Sequence, residues 1–265
     1  MKSIMIVGDG FVGGAIRKAL EPHHNVIIQD PPKGYDNGNY LGLIDLDGAI
    51  ICVPTPSDEE GYCDDVLVLE EYNKIRNAFP TLTILLKSTT SIVTLRHLDS
   101  LRDVNLTFSP EFLTASNAYE DLMNSDHMIF ANHMTLENSF WSDIFIQALR
   151  NVRPVFMQSL VEAGIVKYTV NSFLATKVTF FNEINQLCEN LGVSYQRVKL
   201  ATQLDNRIGT SHMDVPGSDG MRGWGGACFP KDTSEFTLTA EDSASRLELL
   251  ENVIELNRKH RGENT

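Results

Sequence analysis

One cysteine of this sequence lies in a context that suits a nucleophile. Cys228 follows the glycine pair 225–226, and a Phe-Pro pair comes directly after it. Because Pro is favoured in the first turn of a helix, this order predicts that Cys228 stands at or near a helix N-cap. The helix dipole and Lys231 would then stabilise a thiolate, and Asp232 could accept a proton. The alternative is a buried structural cysteine, which is the more common fate of a lone Cys.

Two further sets of polar residues could join this chemistry. Lys167 and Asn171 are four positions apart within a long helical pattern, so we expect them to share one helix face. Glu111 follows Pro110 at the end of a short apolar run, which places a carboxylate at the end of a predicted strand. Each set also has an ordinary interpretation: a surface lysine near a capped asparagine, and a carboxylate that favours a helix start.

A glycine-rich turn follows the first apolar run. Because the turn comes after a predicted strand and opens a predicted helix, it matches the dinucleotide-binding fingerprint, in which backbone N–H groups approach a pyrophosphate. Asp30 ends the second run, where a carboxylate accepts ribose hydroxyls and repels a 2′-phosphate; this favours NAD over NADP, although Lys33 weakens the preference. A turn that only packs a helix on a sheet is the alternative. The cofactor-binding residues predicted in the turn are Gly8, Gly10, Phe11, Val12 and Gly13.

Two other predicted strand ends point to the same crevice, since ligands of open parallel sheets lie outside the carboxyl ends of the strands. These ends are ICVPTP (51–56) and LLKSTT (85–90). Taken singly, their polar residues are also ordinary turn formers. Lys231 is a further cofactor-binding candidate, and those at the two strand ends are Val53, Pro54, Thr55, Ser88 and Thr89.

The elements that must position these residues follow from hydrophobic periodicity. Short apolar runs alternate with amphipathic stretches such as 66–79 and 136–149, which predicts a Rossmann-type parallel α/β sheet over residues 1–157. Residues 158–265 read as an all-α domain with helices from about 194, 229 and 243. Its first helix would run from a capping box at 159–162 to Leu191, a length that suggests a dimer element. The predicted strands are 3–7, 25–29, 48–53, 83–87, 106–109, 127–130 and 154–157.

Composition excludes several classes of partner. The 265 residues carry a formal net charge of -13, and so acidic a surface repels nucleic acid and anionic membranes. The first apolar run is too short for a signal peptide or a membrane span. The four cysteines show no zinc or redox spacing, which predicts no metal site and reduced thiols in the cytoplasm.

Taken together, these motifs resemble the UDP-glucose/GDP-mannose dehydrogenase family. The matching pieces occur in the family's order and cover nearly the whole chain, and the long helical stretch and GGACFPKD are the most specific of them. The pieces are GDGFVG, VPTP, KSTT, SPEFL, VKYTVNSFLATKVTFFNEINQLCENLGV, DNRIG and GGACFPKD.

The resemblance implies oxidation of the C6 primary alcohol of a sugar nucleotide to the carboxylate with two NAD, in a homodimer formed by the long central helix. It implies a thiohemiacetal and then a thioester on Cys228, with Lys167 and Asn171 stabilising the oxyanion. It assigns proton transfer to Asp232 and assistance of hydrolysis to Glu111, and Thr89 would hold the water. The substrate-binding residues that it implies are Phe112, Leu113, Arg207 and Gly225.

Several segments depart from the family pattern. Family members continue into a C-terminal nucleotide-binding domain, which we do not expect in this chain. Residues 114–116 are Thr-Ala-Ser where the family has Arg or Lys, Glu and Gly, the usual GYGG is GWGG at 223–226, and the loop before it is longer. Two alternatives therefore stay open: a two-electron dehydrogenase like the β-hydroxyacid dehydrogenases, which share the Lys-x-x-x-Asn spacing and need no thiol, and a non-catalytic NAD-binding partner of a second polypeptide.

Overall fold

The structure is a computed structural model that describes residues 1–38, 40, 45–133 and 140–263. Its seven strands form one sheet in the order β2-β1-β3-β4-β5-β6-β7. Every strand lies within two residues of a predicted apolar run, because continuous Val, Ile and Leu suit a sheet covered on both faces. The strands are β1 (Ser3–Val7), β2 (Asn25–Gln29), β3 (Gly48–Ile51), β4 (Thr83–Leu86), β5 (Leu106–Phe108), β6 (His127–Ala131) and β7 (Arg153–Met157).

Nine helices accompany the sheet among the described residues. The long predicted helix is present as α6 and has 31 residues. The last helix begins at Glu248, five residues later than the predicted start at 243, and the part of the predicted helix 136–149 before residue 140 lies outside the described residues. The helices are α1 (Phe11–Leu20), α2 (Val66–Ala78), α3 (Ile92–Ser100), α4 (Ala118–Met123), α5 (Phe140–Ala148), α6 (Leu160–Asn190), α7 (Tyr195–Thr202), α8 (Phe229–Asp242) and α9 (Glu248–Arg261).

The Rossmann-type fold class is confirmed, but the sheet is not wholly parallel. β5 and β6 pair in antiparallel fashion at Phe108 and Ala131, whereas the other neighbouring strands are parallel. The physical reason lies in the connection: α4 has only six residues and spans about 9 Å. It does not return the chain to the opposite edge of the sheet, so β6 begins at the edge where β5 ends.

The chain divides into two compact units. The first holds residues 1–58 and 63–167, and the second holds 59–62 and 168–265. Sequence periodicity places a boundary at 157/158, whereas the division of the structure falls within α6. The core of the first unit surrounds the sheet and α1, and its largest members include Ile16, Phe145 and Trp141.

The start of α6 is anchored by polar and steric contacts within the first unit. The carboxylate of Asp99 accepts hydrogen bonds from the Ser159 hydroxyl (2.9 Å) and the Leu160 N–H (3.0 Å). These bonds satisfy a donor that an isolated helix N-terminus leaves unpaired. Gly164 packs against Leu95 of α3 so closely that any side chain would overlap it. The position of Lys167, one turn further on, is therefore set by the contacts of α6 with α3.

Candidate active site

The glycine turn after β1 has the geometry of a dinucleotide cradle. Gly8 has φ +90°, which L side chains rarely adopt. A Cβ on Gly13 would overlap the carbonyl oxygen of Gly8, so this position requires glycine. A Cβ on Gly10 would meet no atom within 4 Å, which leaves open space beside the N-terminus of α1. The first unit thus offers helix N–H groups to an anionic group that approaches the turn closely, as the pyrophosphate of NAD requires.

A network of charges holds the turn and the end of β2 together. One carboxylate oxygen of Asp30 accepts a hydrogen bond from the Asp9 N–H at 2.7 Å. The buried Asp9 carboxylate accepts from Arg17 of α1 at 3.0 Å, and the Lys33 ammonium donates to the Asp9 carbonyl. Asp30 therefore lies beside the turn, where its remaining lone pairs suit ribose hydroxyls. The sequence analysis did not predict the Asp9–Arg17 pair. Its sequence signal was an acidic residue in the turn and a basic residue eight positions later on the following helix.

The loops that follow β3 and β4 are joined by a buried hydrogen bond. The Ser88 hydroxyl donates to the Val53 carbonyl at 2.8 Å, so the two predicted strand ends are neighbours. Pro54 is exposed and Thr55 is half-buried at the exit from β3. Thr89 lies in the same segment as Ser88, and its carbonyl is 3.8 Å from the Cys63 sulfur.

A buried ion pair joins the segment after β5 to α6. The Lys167 ammonium donates to the Glu111 carboxylate at 3.1 Å and to the Glu111 carbonyl at 2.6 Å. The other carboxylate oxygen accepts from the Leu113 N–H at 2.6 Å. The Phe112 ring lies 5.4 Å from the Lys167 ammonium, and the Leu113 side chain packs against the core of the first unit. Lys167 is only 3% exposed, so the ordinary interpretation of a surface lysine is wrong.

Lys87, at the end of β4, is a second buried lysine that the sequence analysis passed over. It is 3% exposed, and its ammonium lies 3.2 Å from the Ser109 hydroxyl and 3.3 Å from the Pro110 carbonyl. Burial lowers the pKa of Lys87 from 10.5 to about 8, against the opposing attraction of Glu111. The sequence signal for this buried lysine was its position directly after a continuous apolar run. In that stretch, only the hydroxyl residues were considered as candidates.

Cys228 occupies the predicted position at the N-cap of α8. Pro230 lies in the first turn of this helix, as the sequence predicts. Cys228 is half-buried, whereas the other three cysteines of the chain are buried. Cys228 has backbone angles of φ -94° and ψ -57°, and its side chain makes no capping hydrogen bond to the helix.

The second unit also brings three of the predicted polar residues together. The Asn171 amide of α6 donates to one oxygen of the Asp232 carboxylate at 2.5 Å. The Lys231 ammonium donates to the other oxygen at 2.6 Å. Asp232 is 1% exposed and follows Cys228 by one helical turn, and its N–H donates to the Cys228 carbonyl at 2.8 Å. This arrangement fixes a carboxylate next to the thiol-bearing turn.

The remaining predicted substrate residues lie in the loops between α7 and α8. The Arg207 side chain is 89% exposed, and its guanidinium binds Asp205 through two nitrogens. Gly225 lies against the Arg261 guanidinium, since a Cβ there would come within 2.8 Å of it. Arg261 also forms an ion pair with Asp219 at 2.6 Å.

The described residues hold neither a metal-binding cluster nor a membrane-spanning helix. Within the part of the chain that the structure describes, no group of three His, Cys, Asp or Glu side chains suits a metal ion. Over the same residues, no helix combines the length and apolar character that crossing a bilayer needs.

Two domain models of one protein family match this chain. Residues 42–149 match the NAD binding domain of the UDP-glucose/GDP-mannose dehydrogenase family, and residues 161–259 match its central domain. A UDP-glucose 6-dehydrogenase of Rickettsia bellii is 30% identical over 223 residues, which cover 82% of this chain and 50% of that protein. The chain thus spans about half the length of the curated relatives it matches.

Two solved structures share the fold. A UDP-glucose dehydrogenase from the hyperthermophilic archaeon Pyrobaculum islandicum has a TM-score of 0.79 at 26% identity and covers 98% of this chain and 68% of that one. A 3-hydroxyisobutyrate dehydrogenase of Mycobacterium tuberculosis has a TM-score of 0.74 at 17% identity, covers 98% of this chain and 95% of that one, and shows a shared fold alone. The two family domains match in sequence order and span most of the chain, so it belongs to the UDP-glucose/GDP-mannose dehydrogenase family.

Proposed function

We propose that this chain carries the NAD-binding and catalytic parts of a nucleotide-sugar dehydrogenase, which oxidises the C6 primary alcohol of a UDP-glucose-like substrate to the carboxylate. The observation that carries the proposal is the position of Cys228. It is the one half-exposed thiol of four, at a helix N-cap, one turn before a buried aspartate. A purely structural cysteine needs neither the helix terminus nor the carboxylate.

The cofactor is NAD. The open space at Gly10 and the N-terminus of α1 would receive the pyrophosphate, and Asp30 would accept hydrogen bonds from the ribose hydroxyls. NAD supplies, when bound, the acceptor for the hydride that leaves in each oxidation.

The oxidation of the alcohol to the acid takes place in steps, and the first oxidation gives an aldehyde. The Cys228 sulfur adds to the aldehyde carbon while the thiol proton passes to the aldehyde oxygen, which gives a thiohemiacetal. The second oxidation converts this adduct to a thioester. Water then cleaves the carbon–sulfur bond, so the carboxylate leaves and the thiol is restored. Asp232 takes and returns protons in these steps, and Asn171 and Lys231 hold its two oxygens in place.

The buried Lys167–Glu111 pair of the first unit acts on the negative charge that develops during the reaction. The Lys167 ammonium, with Asn171, stabilises the oxygen that becomes negative as the sulfur or water attacks. The Glu111 carboxylate assists hydrolysis of the thioester, and Thr89 holds the water. The contacts between Lys167 and Glu111 support this proposal because they keep both side chains in single orientations away from solvent.

We propose a homodimer formed by α6. Three of its large apolar side chains, Phe173, Phe180 and Leu187, are exposed and follow one another at seven-residue intervals. This spacing keeps them on one face of a helix, and a second copy of the chain presents an identical face. In this dimer Arg207 reaches the sugar nucleotide bound to the partner subunit. We also propose a cytoplasmic location, because the four cysteines are far apart in the sequence and show no zinc or redox spacing.

A substrate screen tests the proposal. The purified chain is mixed with NAD and UDP-glucose, GDP-mannose or sugars without a nucleotide, and NADH is followed by absorbance. We expect two NADH per molecule of acid formed, no acid from Cys228→Ala, and normal activity of the buried-thiol control Cys188→Ala.

The same screen decides between the alternatives. The match to 3-hydroxyisobutyrate dehydrogenase over nearly its whole length favours, through fold alone, a two-electron dehydrogenase as the second candidate. One NADH per turnover, with full activity of Cys228→Ala, supports that candidate. NAD binding without turnover of any substrate supports a non-catalytic NAD-binding partner protein.

A further inference from the structure

The loop that leads to Cys228 is held by a side chain from the last helix. The Trp224 N–H donates to Oδ1 of Asn257 at 2.7 Å, and Nδ2 of Asn257 donates to the Trp224 carbonyl at 2.9 Å. Asn257 is 6% exposed and lies on α9. One amide thus satisfies both backbone polar groups of one loop residue. Only Asn or Gln provides a donor and an acceptor in this arrangement, and Gln is longer by one methylene.

Two contacts from α6 reinforce this pair. The Gly223 N–H donates to Oδ1 of Asn182 at 3.0 Å, and the Trp224 indole N–H donates to the Thr179 hydroxyl at 2.9 Å. Gly223 has φ +71°, and a Cβ there would overlap the Asn257 oxygen. The backbone at 223–224 therefore has no freedom to move without breaking buried hydrogen bonds.

Trp224 also contacts the part of the chain that follows Cys228. The Trp224 ring meets the Phe229 ring edge to face, with centroids 6.4 Å apart. Phe229 is the first residue of α8 and follows Cys228 directly. In contrast, Gly226 has φ +78° and open space around its α-carbon. The segment that carries the thiol is therefore fixed at both ends and open in between.

We propose that Asn257 is a positioning residue for Cys228: its paired hydrogen bonds with Trp224 set the path of the loop and so the orientation of the thiol. The catalytic use of that orientation rests on the proposed function, but the orientation itself does not. Asn257 acts through Trp224 and contacts no reacting atom.

Site-resolved alkylation tests the orientation without any substrate. The full chain is treated with iodoacetamide, and the label on each of the four cysteine peptides is followed by mass spectrometry. The variant Asn257→Asp keeps the acceptor for the Trp224 N–H but removes the donor to its carbonyl. Asn252→Ala is the matched control, because Asn252 is an exposed asparagine of the same helix.

We expect Asn257→Asp to raise the alkylation rate of Cys228 at least threefold, because a loosened loop exposes the half-buried thiol. The other three cysteines stay protected, and the control matches the wild type. If Asn257→Asp does not fold, Thr179→Val removes the partner of the same Trp224 indole and is expected to change the rate in the same direction. A Cys228 rate equal to or below that of the control overturns the proposal.

Turnover provides the second readout. With an active chain, we expect Asn257→Asp to lower kcat about tenfold, because a thiol displaced by a fraction of an ångström loses its attack geometry. The KM for NAD stays unchanged, since the paired hydrogen bonds of Asn257 hold the loop before Cys228 and not the glycine turn after β1. A chain without any dehydrogenase activity defeats the proposed function, while the alkylation rates still decide the role of Asn257.

Discussion

Replacing Lys87 by methionine tests the buried charges of the first unit. Lys87 is surrounded by Cys52, Glu111 and Lys167, and burial is the main reason that its pKa falls from 10.5 to about 8. Burial also raises the pKa of the Cys52 thiol to about 12, so this thiol carries no charge at neutral pH. Methionine has a similar length and no charge, so Lys87→Met removes the titrating group from this cluster.

The direction of the effect follows from proton linkage. Between pH 8 and 10.5 the unfolded chain holds a proton at Lys87 that the folded chain has lost, so the free energy of unfolding rises with pH. Below pH 8 both forms are protonated, and the folded state bears the full cost of burying the charge. At 1.36 kcal/mol for each pKa unit the whole rise is about 3 kcal/mol, of which about 2 kcal/mol develops between pH 7 and 9.5.

Urea denaturation of the wild type and Lys87→Met at pH 7 and pH 9.5 measures the effect. We expect the free energy of unfolding of the wild type, relative to the variant, to increase by about 2 kcal/mol between the two pH values. Other titrating groups are common to both proteins and cancel. Lys18→Met, at an exposed lysine of α1, is the control and should keep the pH dependence of the wild type. Parallel pH profiles for the wild type and Lys87→Met would show that folding does not lower the pKa of Lys87.

Three further predictions concern the cofactor turn, the buried ion pair and the dimer. Gly13→Ala should raise the Kd for NAD more than tenfold in isothermal titration. Gly14→Ala is the control: its Cβ has ordinary contacts only, so its Kd should stay within twofold of the wild type. Equal affinities of the two variants for NAD would contradict the role of the glycine turn in binding the dinucleotide. Glu111→Gln leaves the buried Lys167 charge without its ionic partner, and we expect it to lower the free energy of unfolding by about 3 kcal/mol in urea; a change below about 1 kcal/mol would count against the pair. Phe180→Asp should convert the proposed dimer to a monomer in sedimentation velocity, and an unchanged sedimentation coefficient would exclude this face.

Much of the architecture could be predicted because it depends on local patterns. Continuous apolar runs locate the strands, and a proline-free stretch with helical spacing locates α6. The N-cap at Cys228 follows from the Phe-Pro pair, since Pro prefers the first turn of a helix. The direction of β6 could not be predicted, because a short apolar run contains no information about the edge at which its strand begins.

The candidate site was only partly accessible from the sequence. Spacing along one helix shows that Lys167 and Asn171 share a face, but their partners, Glu111 and Asp232, are 56 and 61 positions away from them. Such contacts depend on tertiary packing, about which hydrophobic periodicity gives no information. Lys87 was missed for the same reason, since a lysine at the end of a strand is assumed to reach solvent.

Mass spectrometry of the quenched reaction shows whether Cys228 becomes covalently linked to the oxidised sugar. The chain is mixed with NAD and UDP-glucose and stopped with acid within one turnover, and its cysteine peptides are then weighed. We expect an acyl adduct on the Cys228 peptide alone, which is missing when NAD is omitted and in Cys228→Ala. Formation of the acid without any adduct, at a rate that Cys228→Ala equals, would contradict it.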